Sequence, residues 1–157
     1  MAEKQGSVEG LYYEATDSDL YWTCSNDASI NRINPNTKDG TGKLEKVLKL
    51  NSHDKPRGIA VDPCESRIFF TNWNPQSPSI QRSFKSGYQL ESIITVDIRM
   101  PNGLTLDHAA KKLYWVSYSQ LTNQLIIFSQ NTKFLFFSRL MPDWTKLNEW
   151  NTTAQTA

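Results

Sequence analysis

The stretch DLYWTCSNDASINR, which begins at Asp19, packs three large apolar side chains into one short segment and then turns polar. The same pattern returns as RIFFTNWNPQSPSIQR from Arg67 and as KLYWVSYSQ from Lys112, at spacings of 48 and 45 residues. Its centre is rich in aromatic and β-branched residues, which favour strands. A repeat of this length indicates the blades of a propeller rather than a helical array.

Other residues keep the same period. A glycine precedes each aromatic segment, at Gly10, Gly58 and Gly103, and GIAVD matches GLTLD with Asp62 and Asp107 at the same place. Each unit therefore reads as four short strands, which in the second unit are expected at residues 58–62, 67–71, 79–84 and 91–96. The sequence predicts an all-β chain that forms a partial β-propeller of about two and a half four-stranded blades. The matched period disfavours an aromatic-rich β-sandwich.

The composition excludes several classes of protein. The 157 residues carry a net charge of only +1 and no basic run, which disfavours a nucleic-acid partner. Cys24 and Cys64 are too few and too far apart for a zinc site or a disulfide framework, and we expect them not to pair with each other. The start of the chain lacks the apolar core of a signal peptide. The uncharged window at 113–132 is half polar or aromatic, so no transmembrane segment is predicted.

The titratable residues predict structure rather than chemistry. Asp62 and Asp107 recur at the end of one strand, so we expect them to cap the following turn. The acidic residues Glu14, Asp17 and Asp19 are expected to form a solvated turn. His53 and His108 are expected in exposed turns. No catalytic, cofactor-binding or metal-binding motif is present, so no cofactor and no enzymatic activity are predicted.

The segment NWNPQSP, residues 72–78, does not recur and places Trp73 on a loop. Alternation of strand direction brings this loop to the same face as the connections between units. The residues expected on that face are Trp73, Asn74, Lys55, Arg57, Arg99 and Asn102. An aromatic side chain ringed by cations and amides is typical of a protein-binding hot spot. The alternative is that Trp73 packs onto the neighbouring blade as a structural staple.

The segments LYWT, IFFTN and LYWVS, together with PRGIAVD and MPNGLTLDHAAKKLYW, resemble the YWTD repeats of the low-density lipoprotein receptor-related family, most closely its megalin-type members. In that family six such repeats close a propeller in the ectodomain of an endocytic receptor. The family's motif aspartate is replaced here by Cys24, Asn72 and Ser117, which puts in doubt the turn that it braces.

The resemblance implies a non-enzymatic piece of such a receptor, whose propeller binds or releases protein ligands, or contacts neighbouring receptor modules, during receptor-mediated endocytosis. It implies an extracellular and endosomal location, although the chain shows neither a signal peptide nor a membrane span. The alternative is a fragment of a propeller-like hydrolase or lactonase that holds a metal in the central channel.

The repeats divide the chain into three parts. Residues 1–6 are an N-terminal extension, residues 7–117 hold two full repeats and one partial repeat, and residues 118–157 form a divergent tail of the kind that an alternative transcript adds to a truncated isoform. Within the tail we expect a hairpin at 124–138 with SQNTK as its loop, followed by disorder. Asn151 is a glycosylation acceptor if the chain is secreted. Two bare blade faces predict that the chain self-associates.

Overall fold

The structure, a computed structural model, describes residues 6–37, 42–119 and 124–131. Within these ranges, eleven strands form three antiparallel sheets, which we call blades 1, 2 and 3. Blade 1 contains β1 (Val8–Glu14), β2 (Asp19–Cys24), β3 (Ser29–Ile33) and β4 (Glu45–Lys49); blade 2 contains β5 (Pro56–Asp62), β6 (Arg67–Asn72), β7 (Ser79–Phe84) and β8 (Glu91–Ile94); blade 3 contains β9 (Pro101–Asp107), β10 (Lys112–Ser119) and β11 (Gln124–Asn131). The predicted all-β partial propeller is confirmed.

The strands of each blade pair in chain order, so each sheet is a meander. In blade 2 the first strand begins at Pro56, two residues before the predicted start, and the fourth ends at Ile94, two residues early. In the tail, residues 129–131 continue β11 and pair with β10, where we expected a hairpin loop. The rest of that predicted hairpin, the disordered end and Asn151 lie outside the described residues. No helix in the described ranges is long and apolar enough to cross a membrane.

The aromatic strands lie second in each sheet and fill the space between blades. Tyr21 of β2 packs in a core with Ile59, Ile68 and Phe70 of blade 2. Phe69, which follows Ile68 and so points to the opposite face of the sheet, packs in a second core against blade 3. Burying such a side chain contributes about 2–3 kcal/mol. The short aromatic segments of the sequence thus supply the two cores that hold the blades together.

The turn between the first two strands of each blade has a shared construction. Asp62 Oδ1 accepts hydrogen bonds from the backbone of Cys64 and Glu65, and Asp107 Oδ1 accepts them from Ala109 and Ala110. The last turn residue has positive φ in every blade: 60° at Ser18, 51° at Ser66 and 54° at Lys111. The predicted capping role of the two aspartates is confirmed.

Blade 1 uses Glu14 at this place, and here the expectation of a solvated turn is wrong. Glu14 is buried and accepts hydrogen bonds from the backbone of Thr16 and Asp17 at 2.6 and 3.1 Å. Asp19 is also buried and lies 3.5 Å from the Arg32 guanidinium. Of the three acidic residues only Asp17 is exposed. Their hydrogen bonds and ion pairs compensate the cost of removing these carboxylates from water.

Candidate functional site

Trp73 lies directly after β6, on the loop face of blade 2. The Arg57 guanidinium stacks on its ring, with the central carbon 3.5 Å from the ring centroid. Arg57 also forms a 2.9 Å ion pair with Glu9 of blade 1. The Trp73 amide donates to the Lys55 carbonyl at 3.0 Å. Three of the six residues predicted for the protein-binding face thus meet at the boundary between blades 1 and 2.

The loop that carries Trp73 is tied down by a buried carboxylate. Asp54 Oδ1 accepts hydrogen bonds from the amides of Asn72 and Asn74 at 2.7 and 2.9 Å. The Asn72 side-chain oxygen accepts the backbone N–H of Lys55 at 2.9 Å. Asn72 therefore braces the same face at the position where the repeat motif has an aspartate.

Blade 3 braces this face with a smaller residue. The backbone N–H of Arg99 donates a hydrogen bond to the Ser117 hydroxyl at 3.2 Å. The hydroxyl in turn donates a hydrogen bond to the Arg99 carbonyl. Asn72 and Ser117 thus form with their own side chains the hydrogen bonds that hold this face. The loss of the motif aspartate therefore does not remove the brace at these two positions.

A groove of about 590 Å³ opens between blades 2 and 3 beside Trp73. Its described lining comprises Trp73, Asn74, Pro75, Pro78, Thr95, Ile98, Arg99, Met100 and Tyr118. The groove therefore contains three residues of the predicted face, namely Trp73, Asn74 and Arg99. Lys55, Arg57 and Asn102 are not part of its lining. Trp73 is stacked by Arg57 of its own blade and also borders the groove, so the choice between a binding anchor and a structural staple stays a prediction.

The blades are joined by threonine hydroxyls. Thr23 Oγ1 accepts the N–H of Gly10 within blade 1 at 2.9 Å and donates to the Arg57 carbonyl of blade 2 at 2.6 Å. Thr71 repeats this arrangement one blade later, with Gly58 and Asn102. The third residue of the YWT pattern is thus the hydrogen-bonding link between neighbouring blades.

Ion pairs reinforce the same boundaries. Lys85 of blade 2 contacts Glu14 of blade 1 at 3.1 Å, and Lys111 of blade 3 contacts Asp62 of blade 2 at 3.0 Å. Burial raises the pKa of Glu14, but the hydrogen bonds from Thr16, Lys85 and Asp17 outweigh it and lower that pKa to about 2. Both carboxylates are therefore ionised at neutral pH and act as structural partners.

The remaining titratable groups offer no metal centre. The described residues contain no group of three or more His, Cys, Asp or Glu side chains that could hold a metal ion. His53 is exposed, as expected. His108 is also exposed, with Nε2 3.5 Å from the Tyr12 hydroxyl and Nδ1 4.0 Å from Asp62. Cys24 is buried, Cys64 is exposed, and neither forms a disulfide.

Part of the chain matches a known family of repeats. Residues 66–108 match the low-density lipoprotein receptor repeat class B. Among curated proteins, protein cueball of Drosophila grimshawi is 35% identical over 112 residues, which is 70% of this chain and 18% of that protein. The cueball protein of Drosophila yakuba is 29% identical over 111 residues and is covered to 17%. The chain thus spans less than a fifth of the length of these relatives.

Solved structures share the architecture. The crystal structure of a nidogen/laminin complex superposes with a TM-score of 0.71 at 22% identity, over 82% of this chain and 46% of that one. A putative TolB from Agrobacterium tumefaciens gives 0.60 at 13% identity, over 80% and 45%. A gluconolactonase from Xanthomonas campestris gives 0.56 at 18% identity, over 78% and 44%. At these identities the likeness establishes the fold alone.

Proposed function

We propose that this chain, which is built from class B repeats of the low-density lipoprotein receptor family, is a non-enzymatic part of an endocytic receptor whose propeller binds or releases protein ligands. The proposal places it in an extracellular or endosomal ectodomain. The observation that carries the proposed binding is the groove between blades 2 and 3, where Trp73, Met100 and Tyr118 offer apolar and aromatic surface beside the cation of Arg99.

This composition suits a protein ligand. Aromatic residues and arginine dominate the energetic centres of protein interfaces, and groove-lining prolines add surface at little entropic cost. The described lining carries Arg99 as its charged group and no carboxylate, so it favours a ligand segment that pairs an apolar side chain with an acidic one. One structural neighbour is a chain of a nidogen/laminin complex, which supports the proposal of a protein partner.

The gluconolactonase neighbour motivates the second candidate, a hydrolase with a metal in the central channel. It shares the fold at 18% identity and carries no further argument for that activity. The two candidates differ in a simple assay. Hydrolysis of a gluconolactone by the purified chain with added Ca²⁺, at a rate above that of the buffer, would favour the hydrolase.

The test of ligand binding is a screen of the immobilised 157-residue chain against an array of purified secreted proteins. We expect binders whose affinity falls about 10-fold or more for Arg99→Ala and for Trp73→Ala, because both side chains border the groove. Leu90→Ala is the matched control, since Leu90 is exposed and is not part of the groove lining. Its affinities should match those of the wild type.

Trp73→Ala also removes the stacking under Arg57, so its thermal unfolding must be measured alongside binding. Arg99→Ala is a second test of the groove that leaves the backbone hydrogen bonds with Ser117 in place, and its thermal unfolding is measured in the same way. Binders that tolerate both substitutions, or an array without binders, would contradict the proposed site.

A further inference from the structure

Each of the three blades has two faces, one towards the preceding blade and one towards the next, and together these two faces form the interface between neighbouring blades. On the face towards the preceding blade, each blade has two apolar cross-strand pairs. These pairs are Leu11–Trp22 and Tyr13–Leu20 in blade 1, Ile59–Phe70 and Val61–Ile68 in blade 2, and Leu104–Trp115 and Leu106–Leu113 in blade 3. We call this the incoming face. In blade 2 all four residues are buried against blade 1, and in blade 3 the corresponding residues pack against blade 2.

In blade 1 the β1 side of the incoming face is open. Leu11 is 64% exposed and Tyr13 is 50% exposed, whereas their counterparts Ile59 and Val61 are 4% and 0% exposed. Their cross-strand partners are less accessible, since Trp22 is 6% exposed and Leu20 is half-buried. Blade 1 thus exposes the first-strand half of a surface that blade 2 buries completely. Large apolar side chains exposed together on one face mark an interaction surface.

On the opposite, outgoing face, the described part of blade 3 has open space at the position of its glycine. In blades 1 and 2 this face carries a glycine against which the next blade packs: a Cβ at Gly10 would lie 2.1 Å from the Arg57 carbonyl oxygen, and a Cβ at Gly58 would lie 2.4 Å from that of Asn102. A Cβ at Gly103, the third member of the series, would meet no described atom within 4 Å. Gly103 therefore keeps the space for a further blade.

We propose that the incoming face of blade 1 docks on the outgoing face of blade 3 of a second copy of this chain, so that two copies close into a head-to-tail dimer. Both halves of the interface lie on the same chain, and the fold already joins such halves twice. This chain covers slightly less than half of each of the three solved propeller chains described above. Two copies of this chain therefore supply about as many blades as one of those chains. A head-to-tail contact whose rotation closes gives a ring of defined size rather than a filament.

Sedimentation equilibrium of the 157-residue chain tests the proposal. We expect a monomer–dimer equilibrium that saturates at the dimer as concentration rises. Leu11→Glu places a charge in the interface and should weaken the dimer about 10-fold or more. Leu90→Glu makes the same change at an exposed leucine of the β7–β8 connection and should leave the dimer unchanged.

Substitutions on blade 3 test the other half. Gly103→Val adds atoms where the described monomer has space, so the diluted monomer should unfold at the wild-type temperature while dimerisation is lost. An equimolar mixture of Leu11→Glu and Gly103→Val chains should recover a heterodimer, because one of its two interfaces is intact. Val116 occupies the position of Thr23 in blade 1 and Thr71 in blade 2, the threonines that hydrogen-bond to the next blade. Val116→Thr should therefore add one hydrogen bond across the dimer interface and raise the affinity of the dimer about fivefold.

Three results would overturn the proposal. One is a chain that stays monomeric at every concentration, as it would if these faces await further repeats of the same chain. A second is open-ended growth beyond the dimer. The third is dimerisation that tolerates both Leu11→Glu and Gly103→Val.

Discussion

The Thr71 hydroxyl of blade 2 donates a 2.9 Å hydrogen bond to the backbone carbonyl of Asn102 in blade 3. The same oxygen accepts the N–H of Gly58 at 2.8 Å, so one side chain satisfies backbone groups of two blades. Because Thr71 and its bond with Gly58 are buried, no solvent replaces that bond if the hydroxyl is removed.

Thr71→Val should therefore lower the free energy of unfolding by about 1–3 kcal/mol, since the near-isosteric side chain leaves the buried Gly58 N–H unpaired and removes the link to the Asn102 carbonyl. Urea unfolding followed by circular dichroism measures this loss. Thr95→Val, at an exposed threonine that follows β8, is the control and should change stability by less than about 0.5 kcal/mol. Equal effects of the two substitutions would contradict the role assigned to Thr71.

Gly58 and Gly103 should respond differently to alanine. At Gly58 the new Cβ would lie 2.4 Å from the Asn102 carbonyl oxygen, so the blades must separate and we expect a loss of roughly 1–3 kcal/mol. At Gly103 the described structure has open space, so Gly103→Ala should be neutral or slightly stabilising. Both melting temperatures should be measured at a concentration at which the chain is monomeric. The prediction fails if Gly103→Ala is the more destabilising of the two.

The low pKa of Glu14 should make the chain acid-sensitive. A carboxyl whose folded pKa is about 2, against 4.5 as the reference, contributes stability above its unfolded pKa and loses it as the pH falls towards the folded value. We expect stability to drop by about 1–2 kcal/mol between roughly pH 5 and pH 2 from this group, after allowance for solvent screening.

Urea midpoints across this pH range measure the effect. The slope should flatten in Glu14→Gln, whereas Glu65→Gln, at an exposed turn position, should keep the wild-type slope. An unchanged slope in Glu14→Gln would show that other carboxyls carry the acid sensitivity.

The two cysteines should differ in reactivity. Cys64 is exposed in the β5–β6 turn and Cys24 is buried at the end of β2, with no disulfide between them. Thiol titration of the folded chain without reductant should give one fast-reacting thiol, and titration in denaturant should give two. A folded monomer without reactive thiol would mean that the cysteines pair after all.

The fold was predictable from the sequence because its signals are local. The aromatic segments at Asp19, Arg67 and Lys112 keep one period, and Asp62 and Asp107 cap turns through backbone groups two and three residues away. Such patterns depend on the strand and the turn that contain them, so no knowledge of the neighbouring blade is needed to read them.

What the sequence did not reveal depends on contacts between blades. Lys85 and Glu14 lie 71 residues apart, so no spacing rule pairs them, and Glu14 reads as one more acid in a polar turn. The groove has the same origin, because Pro78, Ile98 and Tyr118 come from three separate segments that meet only in the folded chain. The six residues predicted for the protein-binding face include Trp73, Asn74 and Arg99 of the groove lining and omit these three apolar residues.

The central position of blade 2 has a kinetic consequence. Both of its faces lie in a core, one with blade 1 and one with blade 3, while Tyr12 of blade 1 packs against both cores. Local opening that exposes the amides of β5 and β6 must therefore disrupt two sets of contacts, whereas opening within the outer blades disrupts one. In deuterium exchange we expect β5 and β6 to be the slowest segments of the described chain, with exchange becoming faster towards β1 and β11.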